Sequence, residues 1–210
     1  MAWYLVGFSP GELIATCCLP DQAKAFATLF HPGLVDQNLI ANYSCSDPGG
    51  SAIVSCTGSV PNNTAISTAV AGSKSFTVTA TNAAGNSASN SFNYGVTYKI
   101  FLMYNSGNAF NPKSKPQIRI QLQNVNSLNR SSSTVTVTAL RVTPRNNPNV
   151  TIKALSGNFI FDSSLNFQGA AAGGGYKYDL DATGIASGNY DLLFSVAGDP
   201  ELHVAPFAIK

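Results

Sequence analysis

"KSFTVTATNAAGNSASNSFNYGV", residues 74–96, contains two strands and the turn that joins them. Phe76, Val78 and Ala80 alternate with Thr77, Thr79 and Thr81, the period of two that puts one side of a strand on a core and the other in water. Ala83-Ala84-Gly85-Asn86 interrupts the alternation, and residues 87–96 return as a partner strand. The stretch predicts a β-hairpin closing a small sandwich.

Downstream, the same grammar repeats. Candidate strands are "YKIFLMY" (98–104), "QIRIQLQ" (117–123), "STVTVTALRV" (133–142), "GNFIFD" (157–162), "YKYDLD" (176–181), "NYDLLFSV" (189–196) and "LHVAPFAI" (202–209). The loops between them are rich in Gly, Pro and Asn, and no helical period emerges after residue 30. Seven short strands with such loops predict a second antiparallel sandwich. The expected organisation is all-β: an irregular leader or fragment start over 1–25, one β-sandwich domain over 26–97 and another over 98–210. The boundary near Gly95 to Tyr98 is too short for a flexible linker.

Charged residues make up 10% of the chain, against about 25% in an average soluble domain. Ser, Thr and Asn supply the polarity instead, as in secreted β-proteins. The net charge of +2 selects no partner, but its distribution is uneven. No acidic residue lies between Asp47 and Asp162, while Lys74, Lys99, Lys113, Lys115, Arg119, Arg130, Arg141, Arg145 and Lys153 do. These are solvated strand and loop positions, or a basic face for anionic polysaccharide or a cell-surface component. They are dispersed and accompany no nucleic-acid motif, so no nucleic-acid partner is expected. No run approaches about 18 consecutive apolar residues, so no membrane insertion is expected.

"ANYSCSDPGGSAIVSCTGSVPNNTAIST" (41–68) followed by "AGSKSFTVTATNAAGNSASNSFNY" (71–94) resembles the bacterial immunoglobulin-like repeats of large secreted proteins. The cysteine pair, the turn between them and the Gly-led hairpin occur in the family's order. "SKPQIRIQLQ" (114–123), "TVTALRV" (136–142) and "GNYDLLFSVAGDPELHVAPFAIK" (188–210) resemble a C-terminal β-domain named for a Pro-x-Lys-Phe motif. Here Pro116 stands one place early, Arg119 replaces the lysine and Ile120 the aromatic residue. The resemblance implies two immunoglobulin-like, extracellular β-sandwich modules with neighbouring domains of the same polypeptide as partners. It implies no reaction.

Cys45 and Cys56 flank the turn Asp47-Pro48-Gly49-Gly50. Zinc would need two further soft ligands at suitable spacing. Cys17 and Cys18 are adjacent, His31 and His203 are far apart, and no C-x-x-C is present. A disulfide across the turn fits best, which requires an oxidising compartment. Cys17 and Cys18 stay unassigned. Asp179, Asp181 and Asp191 alternate on neighbouring strands, and outward strand positions explain them better than calcium does. Two histidines and few carboxylates leave no hydrolytic constellation, so no enzyme, cofactor or metal is expected. Tyr94, Tyr98, Tyr104, Tyr176, Tyr178 and Tyr190 are strand-end residues that could also form a stacking platform for sugars. The leading expectation is a non-enzymatic extracellular spacer, stalk or adhesive module. The alternative is a carbohydrate-binding accessory module of a secreted enzyme.

Overall fold

The computed structural model describes residues 12–18, 33–47 and 49–210. Those residues are all-β, without a helix, and divide into two compact units that meet between Val96 and Thr97.

The first unit contains β1 (Glu12–Cys18), β2 (Gly33–Leu34), β3 (Ile40–Ser46), β4 (Ile53–Gly58), β5 (Gly72–Asn82) and β6 (Ser87–Thr97). The predicted hairpin is β5–β6, in register from Gly72 opposite Val96 to Thr81 opposite Ser87. Phe76, Val78 and Ala80 are buried, as the alternation requires. On the opposite face Thr77–Ser91, Thr79–Ser89 and Thr81–Ser87 join across the strands by hydroxyl hydrogen bonds of 2.7–2.8 Å. Such cross-strand pairs stabilise a solvated face without charge. The turn closes on Asn82, whose Oδ1 accepts from the amides of Ala84 and Asn86.

Sheet order is β2-β6-β5-β4, while β3 pairs separately with β1. The leader or fragment start expected over 1–25 is described in part. Residues 12–18 form β1, parallel to β3 from Glu12 opposite Ile40 to Cys18 opposite Ser46, and the rest of that leader lies outside the described residues. Pro10-Gly11 and Pro20 bracket this short β-capable run, so its pairing depends on a partner 28 positions on and has no local signature. The other edge of β3 is satisfied by residues 63–66, where Ala41 N–H donates to Thr64 O (2.8 Å) and Ile66 N–H to Leu39 O (2.9 Å).

Tyr43 organises the core between these layers. Its ring packs on Phe76 with centroids 5.7 Å apart. Its hydroxyl accepts from Gly58 N–H (2.9 Å) and donates to Val60 O (3.3 Å). A Cβ on Gly58 would lie 2.7 Å from both rings, so this position is glycine because the aromatic pair presses on β4.

The second unit comprises β7 (Lys99–Leu102), β8 (Ala109–Phe110), β9 (Gln117–Gln123), β10 (Val137–Pro144), β11 (Lys153–Ala154), β12 (Ile160–Asp162), β13 (Gly175–Asp179), β14 (Gly188–Val196) and β15 (Leu202–Ile209). All seven expected strands appear. β8 and β11 are additional, two residues each and too short for a periodicity to announce them. The sheets run β11-β10-β14-β15-β8 and β12-β13-β9-β7. Pairing is antiparallel except for β8 on β15, which is parallel. One core joins them: Ile118, Ile120, Leu122 and Tyr176 from one sheet meet Val137, Leu192, Phe194 and Phe207 from the other. The arrangement is sandwich-like.

A single buried carboxylate fastens the start of this unit. Asp199 Oδ2 accepts from Thr97 Oγ1 (2.8 Å), Tyr98 N–H (2.9 Å) and His203 Nε2 (3.0 Å), and Oδ1 accepts from Glu201 N–H (2.9 Å). Burial pushes this carboxyl up, but the bonds from His203, Tyr98, Glu201 and Thr97 outweigh it and hold it below the ordinary range.

Two outcomes are expected. Gly58→Ala forces the Tyr43–Phe76 pair apart and destabilises by about 1–3 kcal/mol, measured by urea unfolding. A depressed carboxyl stabilises the fold above its unfolded value and loses that contribution as pH falls through its folded value. Stability should therefore decline below about pH 4, with a shallower acid slope in Asp199→Asn. Asp162, held down by Lys177 and Ser164, and Asp181, held down by Thr183 and Lys153, retain their own slopes in that variant.

Candidate functional site

Cys45 on β3 and Cys56 on β4 form a disulfide with Cα atoms 5.8 Å apart. The two strands belong to different sheets, so the bond is a covalent tie between layers. Antiparallel β4 sets Cys56 opposite Ala80, and the turn from β3 brings the cysteines together. Asp47 shapes that turn: its Oδ1 accepts from Gly49 N–H (2.8 Å) and its carbonyl from Gly50 N–H (3.0 Å). Asp47 Oδ2 also accepts from Asn82 Nδ2 (2.9 Å), linking the turn to the end of the β5–β6 hairpin. Both Cys45 and Cys56 are half-buried.

The six candidate tyrosines are buried or half-buried. Tyr94, Tyr176 and Tyr190 are buried. Tyr98, Tyr104 and Tyr178 are half-buried and pack against the core of the second unit. Tyr94 donates to Ser67 O (3.2 Å), Tyr104 to Pro206 O (2.9 Å), Tyr176 to Ser132 O (2.8 Å), Tyr178 to Ser156 O (3.2 Å) and Tyr190 to Ala186 O (2.9 Å). Burial pushes the hydroxyls of Tyr94, Tyr98, Tyr104, Tyr176 and Tyr178 above the ordinary tyrosine range. A sugar ring stacks on an open aromatic face. These rings pack against the core, and the hydroxyls of Tyr94, Tyr176, Tyr178 and Tyr190 reach loop carbonyls while that of Tyr104 reaches strand β15.

The three aspartates proposed as outward strand residues each have their own partner. Asp179 Oδ1 accepts from Gln117 Nε2 (2.9 Å), Asp181 pairs with Lys153 (3.0 Å) and Asp191 with Arg145 (3.2 Å). Among the described residues no three His, Cys, Asp or Glu side chains converge as a metal site requires. The same pairs alter the charge pattern, because acids late in the chain return to Arg145 and Lys153 of the acid-free span.

An open cleft of about 520 Å³ is lined by Pro144, Arg145, Asn146, Ile152 and residues 187–190. Arg145 there is committed to Asp191 and, through Nη2, to Tyr190 O (3.3 Å). No carboxylate, histidine or cysteine lines the cleft. No family model matches the chain, and no curated protein matches it either.

Two buried polar centres escaped the sequence reading. One is the Asp199–His203 pair, whose only local trace is an Asp and a His four positions apart after a turn. The other is Gln121, fully buried on the outward side of β9. Its Nε2 donates to Ala171 O (2.8 Å) and Gly174 O (2.7 Å), and its Oε1 accepts from Ala171 N–H (3.0 Å). The Gly-rich run 169–175 is thus a cover over the sheet. A Cβ on Gly174 would enter the backbone of Asp162 and Ser163.

Removing the interlayer bond with Cys45→Ser should lower stability by about 3 kcal/mol in the chain-entropy model, read as a lower denaturation midpoint under oxidising conditions. Under reducing conditions the variant and the parent should converge.

Proposed function

We propose that the chain is a non-enzymatic extracellular module, a spacer, stalk or adhesive segment of a larger secreted or cell-surface bacterial protein. In this reading it consists of an immunoglobulin-like repeat followed by a C-terminal β-domain of the Pro-x-Lys-Phe type. The observation that carries the proposal is the use made of chemically capable side chains. Cys45 and Cys56 hold layers together, His203 is bonded to a buried carboxylate, four of the six candidate tyrosines anchor loops and Tyr104 anchors strand β15. Side chains committed in this way serve rigidity, which is what a spacer requires. The intrachain disulfide supports a compartment outside the cytoplasm, where such bonds persist. The low charge content and the hydroxyl-paired face of β5–β6 suit the same setting.

The test is a glycan and polysaccharide binding screen on the disulfide-bonded protein. The expected result is no saturable binding to any sugar class. Saturable binding that persists at high salt and is lost in Asn146→Ala or Asn189→Ala would instead make the open cleft a sugar site and the chain an accessory module.

A further inference from the structure

We propose that Cys17 is an exchange partner of the Cys45–Cys56 bridge, able to move the crosslink from β3–β4 to β1–β3. The parallel register of β1 and β3 sets Cys17 opposite Cys45. Neighbouring strands lie about 4.8 Å apart, and disulfides span Cα separations of about 4.4–6.8 Å. The register therefore sets Cys17 opposite a cysteine whose sulfur is already bonded to Cys56. Cys18 is opposite Ser46 and has no cysteine at its register position, so the pairing singles out Cys17.

The step is balanced without an external oxidant. Cys17 loses its thiol proton, and the thiolate attacks Cys45 Sγ along the axis of the existing bond. The Cys45–Cys56 bond breaks as the Cys17–Cys45 bond forms, and the electron pair leaves on Cys56, which takes up a proton. One disulfide and one thiol stand on each side. Half-burial of Cys45 and Cys56 leaves the bridge accessible to such attack. The product differs mechanically from the starting state. The interlayer tie is replaced by a tie within one sheet, and a thiol is released on β4, at the edge of its sheet.

The sequence makes the test direct. Lys24 and Lys74 are the first two basic residues, so trypsin places Cys17 and Cys18 in peptide 1–24 and both Cys45 and Cys56 in peptide 25–74. The native bridge is internal to the second peptide, and exchange joins the two peptides. The full-length oxidised protein is incubated without added oxidant near the thiol pKa of about 8.5, acid-quenched over time, alkylated, digested without reduction and analysed by mass spectrometry. The expected result is a joined 1–24/25–74 species that carries an alkylated Cys56, is lost in Cys17→Ser and is kept in Cys18→Ser. The proposal is overturned if peptide 25–74 keeps its internal bridge throughout, if Cys17→Ser still forms the joined species, or if peptide 1–24 carries its own Cys17–Cys18 bond. The time course of the unsubstituted protein decides the matter even where a variant fails to fold.

Discussion

The bond between Cys45 and Cys56 joins strands that belong to different sheets. In the first unit the buried aromatic residues among the described residues are Tyr43, Phe76 and Tyr94. A crosslink that restricts the unfolded chain adds stability to what such packing provides. Its position also sets other contacts: it holds β4 where Gly58 can give its amide to Tyr43, and it fixes the Asp47 turn against Asn82. Moving or breaking this bond therefore disturbs the layer arrangement more than any single apolar truncation on the surface would.

The second unit solves the same problem without cysteine. Its two sheets share one apolar core, and its long loops are tied down by buried polar groups. Asp199 collects four donors, Gln121 holds the Gly-rich cover and the hydroxyls of Tyr176, Tyr178 and Tyr190 reach loop carbonyls. Each of these groups would be destabilising if left unpaired. Satisfied, they fix loops that carry little apolar surface of their own. A tyrosine at a strand end has the same sequence signature whether its ring faces water or the core.

What could be read from the sequence divides along physical lines. The β5–β6 hairpin, the strands β9, β14 and β15 and the disulfide were legible because each depends on a local pattern: alternation, punctuation by turn residues, or two cysteines around a turn. β1, β8 and β11 were not, because they exist through pairing with distant strands and two of them are only two residues long. The partners of the aspartates were equally hidden. Asp191 finds Arg145 and Asp181 finds Lys153 across loops, and spacing in the chain carries no trace of either. The acid-free span therefore suggested a basic face that the fold partly neutralises.

A chain this poor in charge must also keep its sheet edges from pairing with other molecules. Lysines on edge strands are one common defence, but this chain has few to spare. In the second unit the edges are β11, β8, β12 and β7, none longer than four residues, so each offers few open backbone groups. β15 is longer, and β8 covers it only at Ala208 and Ile209. Just before that contact stands Pro206, which has no amide to donate, and its carbonyl already accepts from Tyr104. In the four-stranded sheet of the first unit β4 is the longer edge, with a register shift between Ile53 and Ser55 that breaks the ladder where Val54 is exposed. Shortness, proline and irregular register thus do the work that charge does elsewhere. This explains how a surface of Ser, Thr and Asn can remain unpaired.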